Sequence, residues 1–228
     1  MNNDIIFSDV NIFQGKNLVL SDVTFTISHG EFVYLIGKTG TGKSSLLKTI
    51  YGDLKLHSGS AQVAGFDLST LTWKTVPFLR RKLGIIFQDF QLLMDRSVDD
   101  NLEFVLRATG TNDKALIRLK IDEALKRVGL QSKGFKMPHE LSGGEQQRVV
   151  IARAIINDPT AIIADEPTGN LDPETSDDIM QLLRFLNKEY NTTILMATHN
   201  YNILEKFPMR ILRTLNGQLI QEGQAATV

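Results

Sequence analysis

Cysteine is absent from the 228-residue sequence. Its absence excludes disulfide bridges, cysteine-ligated zinc and iron–sulfur clusters, and it suits a reducing compartment. The sequence also lacks an apolar run of roughly 18 to 20 residues, the length that crosses a bilayer. Residues 1–9 lack the basic-then-apolar order of a secretory signal. We therefore expect a cytosolic protein that reaches a membrane only through a partner.

A large excess of charge of either sign is absent as well. Lysine and arginine total 25, and aspartate and glutamate total 26. The chain therefore has no broad basic surface of the kind that neutralises nucleic-acid phosphates, and we expect no nucleic-acid partner. With 42% hydrophobic residues and no repeat or low-complexity segment, it is predicted to bury a sizeable core in one domain.

The hydrophobic pattern predicts an α/β fold. Residues 5–10 and 18–27 alternate apolar and polar side chains, as half-buried antiparallel strands do. Residues 32–36 are continuously apolar and too few for a helix, which is typical of a strand buried on both faces of a parallel sheet. Two later apolar runs, at 161–164 and 193–197, flank a helical pattern and predict a strand–helix–strand crossover.

The remaining pattern predicts how this single domain is divided. Helical periodicity covers residues 43–51 and most of 98–128, and residues 84–88 resemble a short strand. We predict an α/β phosphate-loop core, an antiparallel β subdomain and a helical subdomain. The core with the β subdomain would occupy about residues 1–88 and 154–228, and the helical subdomain with its motif about residues 89–153.

A glycine-rich loop follows the apolar run at 32–36. Residues 37–44 read GKTGTGKS and fit the phosphate-loop motif G-x-x-x-x-G-K-[ST] in its expected strand-to-helix context. Backbone N–H groups would surround phosphate oxygens, Lys43 would reach the β- and γ-phosphates, and Ser44 would bind magnesium. The competing interpretation is an ordinary glycine turn, which would not need to lie between a strand and a helix. The predicted nucleotide-binding residues here are Gly37, Lys38, Thr39, Gly40, Thr41, Gly42, Lys43, Ser44 and Ser45.

Two carboxylates follow the apolar run at 161–164. Asp165 and Glu166 would lie at the carboxyl end of a buried strand, where open α/β sheets bind their ligands. Asp165 is predicted to bind the magnesium ion, and Glu166 to act as a general base on an attacking water. Residues 167–170 are turn-like, so a simple capping role for the pair is the alternative. The upstream phosphate loop favours the metal-and-water role.

His199 projects from the end of another buried run, at 194–197. Its register with the other strand ends favours a hydrogen bond to the γ-phosphate, although a histidine at a strand end is more often a cap. His29, His57 and His139 are interpreted only as caps.

Residues 141–146 read LSGGEQ and precede a helical pattern. Ser142 and two glycines before a helix form a second anion site, which implies a second nucleotide. These residues resemble the signature sequence of the ABC ATPase family. Together with the phosphate loop, the pair at 165–166, Gln88 and His199, all in order, the resemblance covers nearly the whole chain.

The resemblance implies a head-to-tail homodimer that sandwiches two ATP molecules with Mg²⁺. Each phosphate loop would face the other subunit's signature residues, which are Ser142, Gly143, Gly144 and Glu145. Gln88 would contact magnesium and the attacking water and report to the membrane partner, and Leu171 and Asp172 would form the dimer-contact loop. Phe13 would stack on adenine; many family members carry tyrosine there, but stacking needs only the π-face. The implied catalytic residues are Glu166, His199, Gln88 and Lys43, and the implied metal ligands are Ser44, Gln88 and Asp165.

Two segments narrow the resemblance within the family. Residues 169–172 resemble the branch that contains the lipoprotein-release, macrolide-export and cell-division ATPases. Residues 76–81 and 87–98 most resemble the FtsE family of cell-division ATPases. That resemblance implies FtsX as the membrane partner, FtsZ as a further candidate partner, a peripheral place on the cytoplasmic face of the membrane, and control of peptidoglycan hydrolases. The competing interpretation of both segments is local packing.

Three other functions remain as alternatives. The ATPase of a lipoprotein-release or macrolide-type export transporter would share every catalytic residue and differ in its partner. A soluble ABC protein of translation or DNA repair normally carries two cassettes or a long coiled insertion, and this 228-residue chain has neither. A binding module with an inactive site is disfavoured because Lys43, Asp165, Glu166 and His199 are all present.

Overall fold

The computed structural model describes residues 2–224. Within them the chain forms strands β1 to β10, which are Asn3–Gln14, Asn17–Ser28, Phe32–Ile36, Ser58–Val63, Phe66–Asp67, Leu83–Ile86, Ala161–Asp165, Thr193–Thr198, Arg210–Leu215 and Gln218–Gln224. The helices α1 to α7 are Lys43–Ile50, Val76–Arg81, Val98–Ala108, Lys114–Arg127, Gly143–Ile155, Pro173–Tyr190 and Tyr201–Lys206. Short 3₁₀ turns cover Leu68–Thr70 and Pro138–Glu140.

The strands form two sheets. The four-stranded sheet is antiparallel, in the order β2-β1-β4-β5. The six-stranded sheet has the order β10-β9-β3-β8-β7-β6, and all of its pairs are parallel except β10 with β9. In the parallel sheet β3, β8 and β7 are neighbours, so their carboxyl ends lie side by side at one edge. That edge is where an open α/β sheet binds its ligands.

The central strand β3 explains how the layers pack. Every one of its five residues is buried, and successive side chains point to opposite faces. Tyr34 and Ile36 join the core under the helices α3 to α6. Val33 and Leu35 join the second core, which contains α1 and the antiparallel sheet. The parallel sheet is therefore covered on both faces, as its continuous apolar strands require.

Side-chain caps fix the starts of three helices. Ser97 and Asp100 form a capping box at α3, and Asp113 accepts two backbone N–H bonds at α4. Asp172 caps α6 by accepting a bond from the Thr175 N–H. Each cap satisfies donors that the first helical turn leaves unpaired. The helix starts are thus fixed by residues readable in the sequence.

The predicted α/β class with a phosphate-loop core and an antiparallel sheet is confirmed. The strand predicted at 84–88 spans Leu83–Ile86 instead, so Gln88 lies in the loop beyond it. The helical stretch predicted at 98–128 is two helices separated by 109–113. Strands β4, β5, β9 and β10 were not predicted. The division into subdomains stays a prediction. No helix among residues 2–224 is long and apolar enough to cross a membrane.

Candidate active site

The loop after β3 folds around its own lysine. Lys43 is only 6% exposed, and its Nζ donates to the carbonyl oxygens of Gly37 at 2.8 Å and Lys38 at 3.2 Å. Gly42 has a φ of 103°, and this left-handed conformation lets α1 begin at Lys43. Because glycine has no side chain, the start of α1 has no side-chain cap. The first N–H groups of α1 therefore face the cleft, where an anion can accept them.

Gly37 also permits a close approach. A Cβ there would lie 2.2 Å from Thr214 Oγ1, so only glycine fits beside β9. Thr214 in turn shares a 2.7 Å hydrogen bond with Thr41 Oγ1. The loop is thus anchored to the neighbouring strand.

Asp165 ends β7 opposite the start of α1. Burial raises the pKa of the Asp165 carboxyl above its ordinary value, and the nearby Glu166 charge adds to the rise. A hydrogen bond from Ser44 and the charge of Lys43 act in the opposite direction. A carboxylate desolvated in this way favours a cation that can neutralise it. The side chains of Ser44 and Asp165 therefore meet at one point of the cleft.

Glu166 lies at the turn after β7 in a strained backbone conformation. Its φ is +49°, which is uncommon for a residue with a side chain and recurs at functional sites. Its N–H donates to the Ala197 carbonyl at the end of β8, which holds the turn in place. Glu166 Oε1 lies 2.8 Å from His199 Nδ1. With Nδ1 engaged, Nε2 is the ring nitrogen available to a phosphate.

Gln88 lines the same cleft as these residues. Its backbone carbonyl accepts a 3.1 Å bond from Asn170 Nδ2. A Cβ at Gly169 would lie 3.3 Å from Gln88 Nε2 and 3.6 Å from Glu166 Oε2. Both side chains therefore lie against this glycine. The loop at 169–172 thus joins the segment after β6 to the segment after β7.

These residues line one cleft of about 530 Å³. Its lining includes the predicted residues Thr39, Gly40, Gly42, Lys43, Ser44, Ser45, Gln88, Asp165, Glu166 and His199. It also includes Gln14, Val19 and Lys48, which sequence reasoning missed. Lys48 could have been found, because it lies four residues after Ser44 on the same helix face. Gln14 and Val19 belong to the β1–β2 hairpin, and no local motif marks them.

Phe13 is not among the residues that line this cleft. Its ring instead meets that of His57 edge to face, with centroids 5.5 Å apart. His29 Nδ1 lies 2.8 Å from Asp4 Oδ2, and Asp4 is 5% exposed. The ring of His29 therefore pairs with a buried carboxylate.

The signature residues lie outside the cleft. None of Ser142, Gly143, Gly144 and Glu145 lines it. Ser142 caps α5: its Oγ accepts from the Glu145 N–H at 3.2 Å, and Glu145 Oε2 accepts from the Ser142 N–H at 3.0 Å. Leu171 lies close by, since a Cβ at Gly143 would be 3.5 Å from its Cδ2. The glycine-rich start of α5 is therefore separate from the glycine-rich start of α1.

Among residues 2–224 no group of three or more His, Cys, Asp or Glu side chains could hold a metal by itself. Among the cleft's lining residues, Asp165, Ser44 and Gln88 offer a carboxylate, a hydroxyl and an amide oxygen. Such an oxygen set suits Mg²⁺, which keeps several waters and uses substrate phosphates as further ligands.

Comparison with known proteins gives the same picture. The family described as ABC transporter matches residues 20–169. The cell division ATP-binding protein FtsE of Streptococcus pneumoniae is 43% identical over 93% of this chain and 92% of its own length. The FtsE proteins of Mycobacterium tuberculosis and Escherichia coli K12 are 45% and 44% identical, over 90% and 91% of this chain and 88% and 92% of their own.

Solved structures are similar over almost the whole fold. A dimeric ATP-binding cassette in a post-hydrolysis state, bound to ADP and Pi, is 33% identical with a TM-score of 0.83, covering 96% of this chain and 98% of its own. A Clostridium perfringens component of the CbiONQ ABC transporter complex is 31% identical with a TM-score of 0.89, covering 98% and 89%.

Proposed function

This chain belongs to the ABC transporter family, and we propose that it is the FtsE-type ATPase of a bacterial cell-division complex, working as a homodimer on a membrane partner of the FtsX type. One observation carries the proposal: the phosphate loop, Asp165, Glu166 and His199 converge on one cleft, while the signature lies outside it. The cleft is thus half of a site for ATP. A second copy supplies the other half.

Nucleotide would bind along the loop and the start of α1. The N–H groups of the loop and the positive end of α1 attract the phosphates. Lys43 would exchange the carbonyl oxygens of Gly37 and Lys38 for phosphate oxygens, since its three N–H donors are already oriented in the loop. Phe13 would provide an aromatic face for adenine, next to the lining residues Gln14 and Val19.

Mg²⁺ would be held by Asp165, Ser44 and Gln88. When bound, it neutralises charge on the phosphate oxygens. The raised pKa of Asp165, caused first by burial, means that its ionised form gains from a cation in the cleft. The protein thus uses one desolvated carboxylate where a resident metal site would need several.

Glu166 is proposed as the general base. Its carboxylate would orient the attacking water and take its proton, and Gln88, whose Nε2 lies against the same glycine, Gly169, would also hold the water. His199 holds the carboxylate through Oε1, which leaves Oε2 for the water. The strained φ of Glu166 directs this side chain into the cleft.

The dimer would complete each site. The signature of one subunit would present the Ser142 hydroxyl and the first N–H groups of α5 to the γ-phosphate held by the other subunit. ATP thereby supplies negative charge between two positive helix ends, so closure depends on the γ-phosphate.

A groove of about 580 Å³ beside the Gln88 loop is proposed as the docking surface for the membrane partner. Arg80, Arg81 and Arg153 line it with Pro77, Phe87 and Phe104, and none of its described lining residues is Asp or Glu. Phe104 is 48% exposed. A short cytoplasmic segment with an apolar side chain and a carboxylate fits this chemistry. The chain would then be peripheral on the cytoplasmic face of the membrane.

Hydrolysis and closure are tested on the purified chain. Glu166→Gln should abolish ATP turnover and form a dimer in ATP but not in ADP, seen by light scattering after gel filtration. Lys43→Ala should weaken ATP binding to the monomer. A Glu166→Gln variant that hydrolyses ATP at the parental rate would contradict the assignment of the base.

The partner is tested by capture from native cells. Tagged Glu166→Gln protein is purified in mild detergent. Two further variants carry Phe104→Asp or Phe135→Asp in the same Glu166→Gln background. Both phenylalanines are exposed, but only Phe104 lines the groove. Recovery of an FtsX-type protein that Phe104→Asp alone abolishes supports the proposal. Recovery of a lipoprotein-release or drug-export permease would move the function to transport.

A further inference from the structure

The signature carries a carboxylate, Glu145, in the first turn of α5, where the proposed function places the γ-phosphate of the other subunit's ATP. We propose that Lys133 is a positioning residue that neutralises this carboxylate and so allows an acidic signature to accept the γ-phosphate. The proposal rests on the ATP-sandwiched dimer argued above. It assigns a function to a lysine that belongs to no motif.

The ion pair is defined by distances on both sides of the carboxylate. Lys133 Nζ lies 3.1 Å from Glu145 Oε1, and the Ser142 N–H donates to Oε2 at 3.0 Å. These two contacts, the Ser142 bond first, lower the pKa of the Glu145 carboxyl. Glu145 therefore carries a full negative charge at neutral pH, and Lys133 is the cation that contacts it.

The charge matters because of the hydroxyl beside it. The capping box holds the Glu145 carboxylate beside the Ser142 hydroxyl, because Ser142 Oγ accepts from the Glu145 N–H and the Ser142 N–H donates to Oε2. An incoming phosphate must therefore approach this hydroxyl next to a negative charge. A second anion at the same helix start is repelled. Lys133 weakens this repulsion, since it pairs with the carboxylate through Oε1 and cancels its charge.

The position of Lys133 is set by the fold rather than by the pair alone. The neighbouring Gly134 carbonyl accepts from the Asp99 N–H, and the Lys136 carbonyl accepts from the Val98 N–H, both at 2.8 Å. A Cβ at Gly134 would lie 2.1 Å from Asp99 Oδ1, so the turn fits closely against the start of α3. The Lys133 N–H also donates to the Leu130 carbonyl at 2.9 Å. Because the backbone is held at Lys133 and just after it, its ammonium group is pre-positioned for Glu145.

An exposed ion pair contributes little to stability. Lys133 and Glu145 are 39% and 29% exposed, so removing the lysine should hardly change folding. Its effect should emerge when a polyanion approaches the same helix start. This separates the proposed role from a structural one.

The test is a double-mutant cycle on ATP-dependent dimerisation. All variants carry Glu166→Gln, and dimerisation is measured by analytical ultracentrifugation in Mg-ATP at low and high salt. The dimer has two ATP sites, each formed by one subunit's cleft and the other subunit's signature. Lys133→Gln should weaken association at each site about threefold to tenfold, about 0.7 to 1.4 kcal/mol. The dimerisation affinity should therefore fall about 10- to 100-fold. Lys133→Gln combined with Glu145→Gln should show little further loss relative to Glu145→Gln. Salt should reduce the effect of Lys133→Gln.

Two variants serve as controls. Lys136→Gln removes the same charge three residues away, where the lysine pairs with Glu140 at 3.0 Å, and should leave dimerisation unchanged. Lys133→Arg should restore it. Monomer affinity for ATP should be the same in all of these variants, since Lys133 does not line the cleft. An equal effect of Lys133→Gln with and without the Glu145 charge, or no effect at all, overturns the proposal. Failure of the Glu166→Gln parent to dimerise would instead overturn the proposed function.

Discussion

Replacing Gly144 by alanine should destabilise the chain even without nucleotide. An alanine Cβ at this position would lie 2.5 Å from Thr175 Cγ2 at the start of α6. Carbon atoms pack best at about 3.5 to 4.0 Å, so α5 and α6 must separate by about 1 Å or Thr175 must rotate. Rotation would break its 2.6 Å hydrogen bond to Asp172 Oδ2. Either response loses contacts between the signature and the loop at 169–172.

The sign of the effect identifies its cause. In an ordinary helix, alanine in place of glycine stabilises by up to about 1 kcal/mol. Overpacking costs about 1 to 3 kcal/mol, so Gly144→Ala should lower the free energy of unfolding. Thr175→Ser removes the offending methyl group and keeps the hydroxyl that bonds Asp172. In that background Gly144→Ala should become neutral or stabilising, a coupling of at least about 1 kcal/mol.

Urea unfolding of the two single variants, the double variant and the parent measures this coupling. Gly143→Ala is the matched control, because its Cβ would meet Leu171 Cδ2 at 3.5 Å, an ordinary contact. It should be neutral or slightly stabilising. The reasoning fails if Gly144→Ala is as stable as the parent, or if it destabilises equally with serine at position 175.

Three further predictions concern single polar groups. Asp165→Asn should stabilise the nucleotide-free protein at neutral pH. Burial raises the pKa of Asp165 in the folded protein, so the folded protein loses stability as the pH rises above the pKa that this carboxyl has in the unfolded chain. Thermal melts from pH 4 to 8 should show the advantage shrinking toward pH 4. Arg153→Met removes the hydrogen bonds to the Phe90 and Gln91 carbonyls and should cost about 1 to 3 kcal/mol in urea unfolding, with Arg153→Lys intermediate. Tyr34→Phe removes a buried 2.9 Å bond to the Phe207 carbonyl and should cost about 1 to 2 kcal/mol in the same assay.

Sequence patterns predicted the elements that have a local signature within one short stretch of the chain. The run at 32–36 and the loop after it could be placed because burial on both faces and a phosphate loop each have a local signature. Strand β4 was missed because its Ser-Gly-Ser start is strand-like only once it pairs with β1. Strand pairing between distant segments is a tertiary property, and local propensity does not reveal it.

The same limit applies to the site. Asp165, Glu166 and His199 were predicted because each follows an apolar run, and parallel strands bring such ends together. The residues Gln14 and Val19 come from a hairpin of the other sheet. Their place in the cleft depends on how the two sheets pack, which no spacing rule encodes. Lys133 was missed for a similar reason, since it meets Glu145 only after the turn folds back on α3.

The loop at 169–172 connects the two half-sites of one chain, and this has a consequence for the proposed dimer. At one end Asn170 holds the Gln88 carbonyl and Gly169 lies against Glu166, so the loop follows the cleft of its own subunit. At the other end Leu171 and the Asp172–Thr175 pair meet Gly143 and Gly144, the glycines that would serve the ATP of the opposite subunit. A shift of Gln88 in one cleft would therefore reach the signature of the same chain through four consecutive residues. That signature would contact the ATP of the opposite subunit. Because the contact between Gly144 and Thr175 leaves no room for an added methyl group, the two sites should change state together rather than independently.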